Sequence, residues 1–196
     1  SGNAFAATVT MQADDGSENF ENITFVDSAA VRLHSSAASA GDLYINAGTD
    51  GQVTGNLSVT ATTGDITQGA AVTVTGTSSF TTLATNADIT LNSANSFTGA
   101  LTLNTTGSSG NATLDNGTTA LNIAASTVNG NLNLTTGNAS GIIDTMATAG
   151  DTVTVTGDFS ATTDANNGVI NLGTTTVTGT VALNTNGSGN ATLDNG

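Results

Sequence analysis

Four carboxylates, Asp14, Asp15, Glu18 and Glu21, crowd into ADDGSENFENITF at 13–25, the densest acidic cluster of the 196-residue chain. A hard cation such as Ca2+ is held by several carboxylate and carbonyl oxygens, which a loop of this composition could supply. The stretch lacks the Asp-x-Asn-x-Asp-Gly spacing of an EF-hand, and the chain has no GGxGxD nonapeptide array. A solvated acidic loop is therefore the competing reading. Ca2+ at these four residues is the one candidate ion, and no other cofactor is expected.

His34 is the only histidine and stands near Arg32, the only permanent cation, in VRLHSS, with Asp27 and Ser35 close in sequence. A Ser–His–Asp relay needs a base oriented by a carboxylate and a nucleophile within hydrogen-bond reach. Strand alternation instead puts Arg32 and His34 on one outward face, opposite Val31 and Leu33. No nucleophile elbow or zinc-ligand spacing accompanies them, so they read as a surface pair. Lyases acting on uronates need a cation and a base, and glycosidases need two carboxylates at a set separation. Here Asp65, Asp88, Asp115, Asp144 and Asp194 occur singly in turn-like contexts. No enzyme is expected.

Fifteen acidic residues against one basic give a formal charge of -14. A binder of nucleic acid or of an anionic membrane needs Lys and Arg to displace counterions, so neither partner is expected. There is no Cys, hence no disulfide framework and no thiolate site. No run of residues is long and apolar enough to span a bilayer, and SGNAFAATVT at the start has neither a basic nor an apolar signal region. Disorder is opposed by the low charge density: 8% of residues are charged and mean hydropathy is +0.06, so apolar surface is present to bury.

The elements that must position these groups are repeats. GNATLDNG at 110–117 recurs letter for letter at 189–196, a period of 79, which predicts a repeat continuing beyond residue 196. A shorter unit runs apolar, Thr or Asn, Gly, any residue, then apolar–polar–apolar. Its six copies are VTGNLSV (53–59), VTGTSSF (74–80), FTGALTL (97–103), VNGNLNL (128–134), VTGDFSA (155–161) and VTGTVAL (177–183). Only the second breaks pattern, with Ser78 at its first apolar position. The motif glycines, Gly55, Gly76, Gly99, Gly130, Gly157 and Gly179, lie 21, 23, 31, 27 and 22 residues apart.

Alternation over four to six residues predicts short strands with one buried face, separated by Gly, Asn and Asp corners. A unit of 20–30 residues is too short for a sandwich domain but suits one turn of a solenoid. The expected fold is therefore an all-β parallel β-helix (β-solenoid). Some nine turns at about 4.8 Å would make a rod on the order of 40 Å long. Asn92, Asn104, Asn122, Asn133 and Asn171, each following an apolar residue, are expected to stack in hydrogen-bonded ladders. The total absence of Pro agrees with backbone pairing in every turn.

VTGNLSVTATTGDITQGAAVTVTGTSSFTT (53–82) followed by ADITLNSANSFTGALTLNTTG (87–107) resembles the repeat region of filamentous-haemagglutinin-like bacterial exoproteins, the adhesins of two-partner secretion. The likeness runs from about residue 20 onward. It implies a right-handed β-helical shaft, export through an outer-membrane secretion partner, a secreted or cell-surface location, and roles in adhesion, aggregation or biofilm matrix. Implied partners are glycans or proteins of host or neighbouring-cell surfaces, or other copies of the chain. Residues 1–20 are expected to form an irregular acidic first segment or partial turn, and 21–196 the repetitive shaft.

Two other architectures compete. One is a self-assembling solenoid filament. The other is an array of immunoglobulin-like stalk domains with a period near 80, which the short internal unit and the missing Trp and Pro oppose. Ice binding is suggested by Thr-Val-Thr at 73–75 and 152–154, but such pairs do not recur at one phase of every repeat. Sequons at Asn22, Asn56, Asn111, Asn138 and Asn190 are expected by chance in so Asn- and Thr-rich a chain.

Overall fold

Alternating segments such as Leu57-Ser58-Val59-Thr60-Ala61 bury every second side chain and form strands of two to eight residues. In the computed structural model, which describes residues 9–11, 22–34, 42–45, 52–53, 55–144 and 152–194, no helix occurs among the described residues. The strands stack in parallel, and the fold is the β-solenoid that the repeats predict. Three sheets line it, here called I, II and III, with nine, ten and three strands among the described residues.

In sheet I, Val31, Ile66, Ile89, Ala112, Leu132, Phe159 and Val181 stand one above another, marking six turns. At about 4.8 Å per turn the stack rises about 29 Å. Among the described residues the stack from Val31 to Val181 makes six turns, and its first turn carries an excursion. Val31 and Ile66 are paired neighbours although 35 residues apart, and between them Asp42–Ile45 turns back to lie on the other side of Val31–His34. Later turns take 20 to 27 residues in this sheet.

The interior is filled by inward side chains stacked like on like. Leu91, Leu114 and Leu134 make one column, and Leu57 and Leu101 sit in another with Ser78 between them. Phe80 of sheet II meets Phe97 of sheet III edge to face, with centroids 5.5 Å apart at 65°. Each such buried Leu or Phe contributes about 1.5–3 kcal/mol.

The identical octapeptides occupy different faces. Ala112–Asp115 lies in sheet I between Ile89–Leu91 and Leu132–Thr136, whereas Ala191–Asp194 lies in sheet II against Ile170–Val177. Likewise the first three VTG-type units lead from sheet III into sheet II, and the last three lead from sheet II into sheet I. The 31-residue step from Gly99 to Gly130 causes the change. It carries four strands, Leu101–Thr106, Ala112–Asp115, Leu121–Ile123 and Ser126–Val128, where the unit before it carries three. One added strand advances the sequence pattern by one face.

Ser78 Oγ is buried without a hydrogen-bond partner. A buried hydroxyl left unsatisfied costs about 1–3 kcal/mol. Ser78→Ala is expected to raise stability by about 1 kcal/mol, read as a higher urea midpoint at unchanged slope. A lower midpoint would contradict the assigned burial.

Candidate functional site: the polar corner ladder

A chain that turns a corner leaves N–H groups outside the strand ladders, and buried or stacked corners must satisfy them otherwise. At the corner into sheet I the side chain of each turn does so for the next. Asp88 N–H donates to Asp65 Oδ1 at 2.8 Å and Asn111 N–H to Asp88 Oδ1 at 2.7 Å. Asn131 N–H then donates to Asn111 Oδ1, Asp158 N–H to Asn131 Oδ1 and Thr180 N–H to Asp158 Oδ1, each at 2.8 Å. The corner carbonyls accept in the opposite sense, as from Ile66 N–H to Asp88 O and from Leu132 N–H to Asp158 O, both 2.9 Å. A shorter ladder enters sheet II through Asn22 Oδ1 and Asn56 Oδ1, and the next positions in that column are Thr77 and Ala100.

The residue before the ladder is usually Gly because turns approach closely there. Gly157 N–H donates to Gly130 O at 2.9 Å, and a Cβ on Gly157 would lie 2.3 Å from Asn131 Oδ1. At Gly99, in the other corner, a Cβ would lie 2.3 Å from Gly76 O.

Inside the solenoid two fully buried amides do similar work. Asn95 Oδ1 accepts Val72 N–H at 2.9 Å while its Nδ2 donates to Leu91 O and Asp115 O. Asn116 Oδ1 accepts Phe97 N–H at 2.8 Å, and its Nδ2 donates to Phe97 O and Ala120 O. Buried Thr82, Thr105 and Thr163 each donate a hydroxyl across a turn, to Ala87 O, Gly110 O and Gly168 O.

Thr180 acts on Asp158 first through its N–H and then through its hydroxyl, and together these hold the carboxyl below its ordinary value of 3.8. The ladder carboxylates each face a backbone N–H of the neighbouring turn and do not converge on a common point. Among the described residues no group of three or more His, Cys, Asp or Glu is arranged to hold a metal.

Of the residues singled out by sequence, Asp14, Asp15, Glu18 and Glu21 lie outside the described residues, as does Ser35. Val31 and Leu33 are buried and Arg32 is partly exposed between them, as alternation requires. His34 ends the same strand, in register with Tyr44. Asp27 is buried and accepts the Ala29 N–H at 3.1 Å, a local turn contact.

The expected Asn stacks are absent. Asn104 is in register with Thr81 and Thr127, Asn133 with Thr113 and Ser160, and Asn171 with Ile143 and Thr192. These are outward mid-strand positions where no Asn stands on another Asn, although Asn104 Oδ1 accepts the Thr127 N–H of the next turn at 3.0 Å. The longer ladder forms at corners instead, through Asp65, Asp88, Asn111, Asn131 and Asp158, of which Asn131 and Asp158 follow a motif glycine at the position read from sequence as any residue. The recurring Gly-Asn and Gly-Asp steps at 110–111, 130–131 and 157–158 were its available signal. Sequon residues Asn22, Asn56 and Asn111 serve in these ladders, and Asn138 Nδ2 donates to Thr118 O.

Residues 39–104 match a protein-family model described as repeats of unknown function (DUF5649). The matched stretch is about a third of the chain and contains the first three motif glycines with Asp65 and Asp88. No curated protein and no solved structure matches the chain. No helix among the described residues is long and apolar enough to cross a membrane.

Gly157→Ala is expected to destabilise the chain by about 1–3 kcal/mol through overpacking. Asn131→Ala, which removes one acceptor from the ladder, is expected to cost about 1 kcal/mol. Denaturation midpoints of the two variants check this order, and equal midpoints would refute the close approach. A carboxyl depressed in the folded state stabilises it above its unfolded pKa and loses that effect as pH falls through the folded pKa. Acid titration from about pH 5 downward should therefore weaken the Asp158–Thr180 contact, followed by the Thr180 amide shift, and Asp158→Asn should flatten that response.

Proposed function

We propose that this chain is a segment of the elongated shaft of a secreted or surface-tethered bacterial exoprotein of the filamentous-haemagglutinin-like kind. Its role is structural and adhesive, in cell adhesion, aggregation or biofilm matrix. The observation that carries the reading is the uninterrupted six-turn parallel stack, braced at its corners by side chain to backbone ladders. Such a stack resists bending, because each turn is tied to the next by backbone pairing on every face.

The repeat phrases at 53–82 and 87–107 support export by two-partner secretion through an outer-membrane partner. The shaft carries binding surfaces away from the cell toward glycans or proteins of host or neighbouring cells. It needs no cofactor and performs no catalysis on this reading. An excess of carboxylates keeps neighbouring rods apart at low ionic strength.

A second reading is an end-to-end filament, in which the parallel stack continues from one chain into the next and each strand edge is the template for a further turn.

Electron microscopy of the full-length protein and of cell-surface material tests both. Separate thin rods of fixed length with an axial repeat of about 4.8 Å are expected. Endless filaments would favour the second reading, and beaded or globular particles would overturn the shaft.

A further inference from the structure

One row of outward positions on sheet II carries no charge. Thr60, Thr81, Asn104, Thr127, Thr154 and Thr176 stand in one row, each in register with the next over six consecutive turns. The residue two positions earlier in sequence is Ser or Thr at five of the six and Ala125 at the sixth. The Thr-x-Thr pattern thus recurs in five of these six turns once Ser and Asn count as equivalents, which the two Thr-Val-Thr triplets alone conceal. Asp65, Asp88 and Asp158 line the corner into sheet I instead. The same outward side carries Val26, in register with Thr60, and Leu83, each 52% exposed.

We propose that this neutral strip is a lateral contact surface whose partner is the same strip on a second copy of the chain. The proposal rests on the shaft reading and names the face through which shafts associate.

Charge selects the partner. Two copies at a formal charge of -14 repel. Contact strip to strip brings no carboxylate of the two rows against another. Chemistry makes the strip its own complement. A hydroxyl both donates and accepts, so a row of Ser and Thr can pair with an identical row across a two-fold axis, as an isologous interface requires. Short side chains on a regular pleat also allow two sheets to close to about 10 Å.

Area sets the strength. A strip about 29 Å long and about 10 Å wide buries about 300 Å2 on each partner, against about 800 Å2 for a standard stable interface. One segment therefore associates weakly and reversibly. A shaft with many such turns gains by avidity.

Sedimentation of the chain from about 10 μM to about 1 mM, at about 0.05 M and about 0.5 M salt, tests this. The weight-average mass is expected to rise with concentration, and further at the higher salt. Thr127→Asp combined with Thr176→Asp places two carboxylates on the strip and is expected to hold the chain monomeric. Thr113→Asp combined with Asn133→Asp, on the outward side of sheet I, is expected to leave association intact, with far-UV circular dichroism confirming folding of both variants.

A chain that stays monomeric throughout overturns the strip while leaving single rods in the microscope unaffected. Association that survives in the strip variant and disappears with Val181→Asp also overturns it, in favour of end-to-end stacking. Globular particles in the microscope sink the shaft itself.

Discussion

Close parallel stacking at one repeat distance governs this molecule. Each turn lies directly on the one before, so every backbone group at every corner must find its partner in the adjacent turn or in a side chain. Strand segments meet this condition automatically through parallel pairing. Corners do not, and the sequence spends its Asn, Asp and Gly there. Asp65, Asp88, Asn111, Asn131 and Asp158 pass hydrogen bonds from turn to turn, and Gly130, Gly157 and Gly179 let the backbones approach closely enough for those bonds to form.

The same constraint explains why identical segments can occupy different faces. A solenoid turn asks each face for the same things: inward apolar residues on alternate positions, a hydroxyl to bridge the turn, and a corner acceptor. GNATLDNG supplies strand, corner and turn in one piece, so it fits sheet I at 110–117 and supplies the sheet II strand Ala191–Asp194. The turn bridge recurs in the same way, from Thr82 and Thr105 leaving sheet II and from Thr163 leaving sheet I. Faces are interchangeable because local geometry, not long-range identity, satisfies the backbone.

Charge and polarity are distributed by the same logic. Carboxylates in the corner ladder accept N–H groups at exposed or half-buried positions, where their charge stays hydrated and the Thr180 contacts favour the ionised form of Asp158. The outward positions of sheet II need only short side chains that suit a pleat, and Thr and Ser fill them. A stack of high net charge results, in which the row from Thr60 to Thr176 is uncharged.

Period, strand length and buried register were legible in the residues. Val31 and Leu33, or Leu101 and Leu103, announce their inward side by alternation, and the spacing of the motif glycines announces a solenoid. Position in the repeat also exposed Ser78 as the break in an apolar column. Tertiary structure alone decided which face each segment joined, since one strand more between Gly99 and Gly130 rotates the pattern in a way no local pattern reveals. It likewise placed the long polar ladder on the corner residues, where N–H groups lie outside the strand ladders, and left at mid-strand the single bond from Thr127 N–H to Asn104 Oδ1. Alternation depends on neighbours along the chain, and sequence records it. Stacking depends on which turn lies above, and only the folded coil brings those residues within hydrogen-bond reach.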